Sequence, residues 1–203
     1  MQAMTRRGLA RAGGAGLLAV GGWSSLASAA VPKATPRPDD DGFLLLLVAA
    51  AKVLSDLYGG ASPVLFSAGE RRRLAGLERT KRTAIRYATA ALASDAPQPG
   101  DLASSLPAVD IRDRARYLGL AERLERLTCG VGVAAVPATE DPNTRLLLAR
   151  LLAADAQALA AVRTLAGLPA NTGLLTPVAL DDAGTVLDRY LVAPTAPSER
   201  VPA

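Results

Sequence analysis

The chain has 203 residues, enough for one domain with a sizeable core. Half of it is hydrophobic but only 3% is aromatic, so the core is predicted to consist of Leu, Ala and Val, a mixture that favours helices over sheets. The absence of histidine removes the usual general base and the commonest metal ligand, and the single cysteine, Cys129, excludes an intrachain disulfide and a four-cysteine zinc site.

At the N-terminus, Thr5-Arg6-Arg7-Gly8-Leu9-Ala10-Arg11 is a basic segment followed by a mildly apolar, glycine-rich stretch from Ala12 to Leu26. Ala27-Ser28-Ala29 then offers small residues where a signal peptidase reads. The arrangement resembles a twin-arginine export signal over residues 1–29, with Arg6 and Arg7 as its arginine pair and Ala27 and Ala29 at the cleavage site. It implies the Tat translocase and signal peptidase as partners during export. The expected location is periplasmic or otherwise extracytoplasmic, membrane-associated if the signal stays uncleaved. The whole chain carries 23 basic and 19 acidic residues, net +4. Three arginines (Arg6, Arg7, Arg11) and no acid precede Ala30, so 20 basic residues face 19 acids beyond it, net +1. The basic balance therefore belongs mostly to targeting and does not point to nucleic acid.

Residues 30–41 are proline-rich and charged and read as a flexible linker. The first helix is predicted over 42–58, with Asp41 as its cap. Its nine-residue apolar run, Phe43 to Ala51, is shorter than the roughly 20 residues of a bilayer span and too uniform for a helix with a wet face. It reads as the central buried helix, stopped by Gly59-Gly60; a buried strand is the alternative for its first half, against which the alanines and the polar second half argue.

The second helix is predicted from Ser67 to about Ala93. Ser67 and Glu70 have the spacing of a capping box. Leu74, Leu77, Lys81, Ala84, Ala88 and Ala91 recur at threes and fours, with a lysine interrupting the apolar stripe. Arg71, Arg72, Arg73, Arg79, Lys81, Arg82 and Arg86 face only Glu70 and Glu78, seven against two, net +5. The arginines read either as a solvated face or as a partner-binding basic face for an envelope protein or an anionic lipid surface. Without interleaved aromatics, nucleic acid is a poor fit.

Residues 94–109, with three prolines and one glycine, are longer than an ordinary helix–helix turn and suit a crossover. The third helix is predicted from a cap at Asp110 to about Val131 or Val133. Its apolar face is Tyr117, Leu120, Ala121, Leu124, Leu127 and Val131; Arg112, Arg116, Arg123 and Arg126 turn outward. Cys129 reads as a small buried apolar filler, with a reactive thiol as the minor alternative because no histidine can activate it. Asp141-Pro142 opens a fourth helix, predicted over 143–166 and stopped by Gly167. A short fifth helix is predicted over 180–191, and residues 193–203 read as a loose tail.

Four long helices, a long connection between the second and third, and a short fifth helix resemble the all-α, ferritin-like four-helix bundle over 42–192. Three phrases carry the likeness: Leu54 to Tyr58, Leu124-Glu125 with Gly130-Val131, and Gln157 to Gly167, the last two similar to exported bacterial ferritin-like domain proteins. That resemblance implies a diiron site with one glutamate on each of two helices and Glu-x-x-His on the other two. The matching positions are Ala51 or Lys52, Glu78 and Lys81, Glu125, and Ala154 and Gln157. Only Glu78 and Glu125 keep a ligand type, so no cofactor and no catalytic residue is expected. Glu78, Lys81 and Glu125 read either as a degenerate metal site turned into a buried ion pair or as groups reaching the surface, the lysine by snorkelling. The expected role is therefore structural or binding. The alternative is a divergent metal-dependent oxidoreductase using Glu78 and Glu125 with acids such as Asp56 and Asp155 around manganese or calcium.

Overall fold

The computed structural model describes residues 38–92, 102–171 and 173–192. The signal segment, most of the linker and the tail predicted from the sequence lie outside the described residues. The described chain is all-α apart from one minute strand pair.

Helix α1 is Pro38–Gly59, four residues longer at its start than predicted. The part of the linker read as flexible, 38–41, is its first turn. Proline is pre-organised for the first helical position, and Asp40 and Asp41 complement the positive end of the helix dipole. By length and composition Asp40–Gly59 matches a membrane span, but 61% of its most apolar window is buried inside the protein. Leu44, Val48, Val53, Leu54 and Leu57 are fully or almost fully enclosed.

Helix α2 is Ala68–Ala91. Ser67 caps it as predicted: its hydroxyl accepts from the Glu70 N–H while the Glu70 carboxylate accepts from the Ser67 N–H at 2.8 Å. Its buried stripe is Leu74, Gly76, Leu77, Lys81, Ala84, Ala88 and Ala91. Glu70 also binds Arg114 at 2.7 Å, which with the Ser67 bonds holds its carboxyl down at about 2.

The connection to the third long helix contains β1 (Ala103–Ser104) and a single turn, α3 (Ala108–Ile111). Asp110 sits inside that turn and is not the cap predicted from the sequence. The long helix, α4 (Arg114–Ala138), is capped by Asp113, which accepts from Arg116 N–H. It continues through Pro137, past the predicted end. Helix α5 is Pro142–Leu165, with Asp141 capping Thr144 N–H at 2.7 Å and Pro142 in its first turn. Helix α6 is Leu180–Leu187, and Asp188–Tyr190 continue as a 3-10 turn into β2 (Leu191–Val192). The sequence reading runs this last helix on to 191. Instead β2 pairs antiparallel with β1, Ala103 opposite Val192 and Ser104 opposite Leu191.

Helices α1 and α2 pack together, as do α4 and α5; α1 also lies against α4, and α2 against α5. The core is formed where these faces meet, with Leu54, Leu57, Leu74, Leu118, Leu120 and Val162 in its centre. Phe66 meets Tyr117 edge-on at 4.9 Å between ring centroids, and the Tyr117 hydroxyl donates to Leu57 C=O. Gly130 permits one close approach. A Cβ there would lie 2.5 Å from Val178 Cγ2, and Val178 N–H donates to the Gly130 carbonyl. That contact seats the segment leading into α6 against α4.

Candidate functional site: a buried polar cluster joining four helices

Each of the four long helices places one polar side chain in the same part of the interior. Tyr58 comes from the last turns of α1, Lys81 from the middle of α2, Glu125 from α4 and Asp155 from α5. Lys81 Nζ donates to Glu125 Oε2 at 2.6 Å and to Asp155 Oδ1 at 2.7 Å. The Tyr58 hydroxyl donates to Glu125 Oε1 at 2.6 Å. Lys81 and Glu125 have no solvent exposure.

Periodicity puts these groups inside. Lys81 follows Leu77 by four residues and precedes Ala84 by three, so it shares their face. Glu125 stands four residues after Ala121. Asp155 stands four after Leu151 and three before Ala158, and Tyr58 four after Leu54; all these apolar neighbours are buried.

The electrostatics follow from enclosure. Burial alone would lower the Lys81 ammonium's pKa, but the Asp155 and Glu125 carboxylates outweigh it and hold the amine above its ordinary value. Burial pushes the Glu125 carboxyl up to about 7; the Lys81 charge opposes this and the Asp155 charge adds to it. Burial, then the neighbouring Glu125 charge, raises the Tyr58 hydroxyl well above its ordinary value. One ammonium thus faces two acidic side chains in an enclosed interior, and a protonated lysine cannot act as a nucleophile. Burial also pushes the nearby Cys129 thiol up to about 12, leaving an inert apolar filler.

Of the residues singled out from the sequence, Lys81 and Glu125 meet and Glu78 does not join them. Glu78, half-buried, pairs instead with Arg82 at 2.5 Å, and a Cβ on Gly59 would touch its carboxylate at 3.3 Å. The cause is helical register: Leu77, Ala84, Ala88 and Ala91 extend the buried stripe to one side of Lys81, and Glu78 lies about 60° to the other side around the α2 axis, beyond its edge. Asp56 is also elsewhere, bonded to Lys52 and to Ser104 Oγ, each at 2.5 Å. Ala51 and Ala154 are buried methyl groups, Lys52 is half-buried and Gln157 is exposed. Asp155 does enter the cluster, although sequence reading ties it only to a metal alternative. Tyr58 was missed as a site residue; its spacing from Leu54 was the available signal.

A diiron centre needs around six ligands on two metals, and these residues do not fit it. Among the described residues no three His, Cys, Asp or Glu side chains are grouped to hold a metal ion. The two converging carboxylates are bridged by a cation of the chain's own.

The six arginines, Arg71, Arg72, Arg73, Arg79, Arg82 and Arg86, are all exposed along α2. Arg71 and Arg72 border an open hollow of about 510 Å³, with Tyr58, Ala61, Ala75 and Glu78 among its other walls. Arg6, Arg7, Ala27 and Ala29 lie outside the described residues. No protein-family model and no curated protein matches the chain.

Proposed function

We propose that this chain is an exported, ferritin-like four-helix bundle protein that lacks a diiron centre and serves as a structural or binding module of the cell envelope. One observation carries the reading: Lys81 Nζ stands between Glu125 and Asp155, where four helices converge. The four-helix source of the cluster matches the way ferritin-like proteins build their sites from facing helices. An ammonium in that place repels a metal ion and is itself the positive charge that faces the two acidic groups. The cluster has no histidine, no open ligand position and no activated nucleophile, so it links helices and offers no chemistry to a substrate. The oxidoreductase alternative draws no support from Glu78, whose carboxylate is engaged by Arg82.

The experiment is metal analysis of the protein purified with iron present, joined to a thermal-shift screen with iron, manganese and calcium. The expected result is substoichiometric metal and no shift, because a ligand that prefers the folded state must stabilise it. Two irons per chain, or a metal-dependent shift abolished by Glu125→Gln, would overturn the reading. Export is tested separately: changing both Arg6 and Arg7 to lysine in a secretion reporter is expected to retain the protein inside the cell, and unchanged export would reject the twin-arginine route.

A further inference from the structure

The outer face of α2 carries a ridge of cations. Arg72, Arg79 and Arg86 recur every seven residues, about 10.5 Å apart along the axis, on the side opposite Leu74, Leu77 and Lys81. Arg71 and Arg82 flank the ridge. The acids of the same helix are engaged, Glu70 by Arg114 and Glu78 by Arg82. Among the described residues no acid pairs with Arg71, Arg72, Arg79 or Arg86. Between the ridge arginines lie small or short side chains such as Ala75 and Thr83, and half-buried Tyr87 has the Arg86 guanidinium over its ring at 5.8 Å.

From this face we infer that α2 docks side-on onto an anionic phospholipid surface. A plane of negative charge complements a straight row of cations without requiring a desolvated apolar centre. A specific protein partner would need such a centre, normally anchored by several aromatic or large aliphatic side chains, and the aromatic of α2, Tyr87, is half-buried with the Arg86 guanidinium already over its ring. Val64, in the loop just ahead of α2, is an aliphatic side chain 89% exposed. The inference deepens the envelope reading and rests on it for a membrane within reach.

The test uses the full chain and sedimentation with vesicles of phosphatidylcholine, with and without phosphatidylglycerol. The N-terminal apolar stretch is common to all variants, so the comparison isolates α2. The triple change Arg72→Gln, Arg79→Gln and Arg86→Gln is expected to weaken binding to phosphatidylglycerol vesicles by about a hundredfold, from three surface cations lost. Removing three exposed arginines elsewhere, Arg112→Gln, Arg116→Gln and Arg123→Gln, is expected to cost less than about fivefold, since these charges sit off the docking face and are screened. Glutamine nearly matches arginine in helix propensity, and unchanged circular dichroism verifies that both triples fold. Equal losses in the two triples, no loss in the first, or equal binding to vesicles of phosphatidylcholine alone would overturn the inference. So would indifference to phosphatidylglycerol combined with ridge-dependent binding of polyglutamate, which would assign the face to an acidic protein. Failure here leaves the metal analysis and the export reporter untouched, and unchanged export of the Arg6 and Arg7 double mutant would reject the twin-arginine route to the envelope without altering the vesicle result.

Discussion

Lys81 and Arg82 are neighbours in α2 and carry the same charge, yet the structure gives them opposite surroundings. Lys81 has no exposure and bridges Glu125 and Asp155; Arg82 is 70% exposed and pairs with Glu78 one turn away. One residue of helical advance, about 100°, separates the two situations. On the inside, the ammonium is a fixed part of the packing, because removing it strands two carboxylates in a medium that does not solvate them. On the outside, water solvates the arginine whether or not its partner is present, so the surface pair contributes little to stability. The same helix therefore carries an enclosed, specifying face and an exposed, arginine-rich face.

The sharpest way to break this contrast is Lys81→Met, which keeps the stem and deletes the charge. It is expected to destabilise the fold by about 3–5 kcal/mol in chemical denaturation, the cost of breaking a buried pair from one side. A loss within about 0.5 kcal/mol, the range of a surface substitution, would show that the cluster is wet or loosely held.

Acidity offers the next test. Glu125 has a folded-state pKa raised by burial to about 7, above its ordinary value of 4.5. The folded state thus binds the proton more tightly between these limits. The stability this contributes is present in full below 4.5 and is lost as pH rises toward and through 7. Unfolding free energy is expected to fall by on the order of 2–3 kcal/mol from pH 4.5 to pH 8, with Glu125→Gln flattening that part of the profile. Lys81 remains protonated throughout this window and adds no slope of its own. A profile unaltered by Glu125→Gln would mean that the carboxyl is no more enclosed than those on the surface.

Tyr58→Phe removes one hydrogen bond and no charge. Leaving Glu125 Oε1 without its donor is expected to destabilise by about 1–3 kcal/mol, less than the loss of the ammonium. Deletion of the arginine ridge by the triple change at Arg72, Arg79 and Arg86 is expected to shift stability least, within about 0.5 kcal/mol per site, while altering vesicle binding most. A large melting-temperature drop in that triple would erase the distinction between the two faces.

The capping residues show how local physics made the helices legible. Ser67 with Glu70, and Asp141 with Pro142, satisfy or avoid orphan backbone N–H groups through residues next to them in sequence, so their roles could be read without a fold. The same reasoning applied to Asp110 failed, because Asp113 three residues later is an equally good cap and tertiary packing selected it. Pro38 and the three aspartates after it were read as linker for a related reason: a helix start and a proline-rich spacer share their composition. The pairing of β1 with β2 involves two residues from each of two distant segments, too short to leave an alternation pattern.

By itself the sequence determined the helical class, the four long helices, and the interruption of an apolar stripe by Lys81. These follow from side-chain period and propensity, which act over one or two turns. Tertiary structure alone decided what Lys81 meets. Tyr58, Glu125 and Asp155 are 23, 44 and 74 residues away from it in the chain. Whether such groups converge depends on the relative rotation and axial slide of four helices. A turn of about 60° kept Glu78 out of the cluster while Asp155 came in. Those rigid-body freedoms are fixed by packing of the whole apolar core, and no local spacing encodes them.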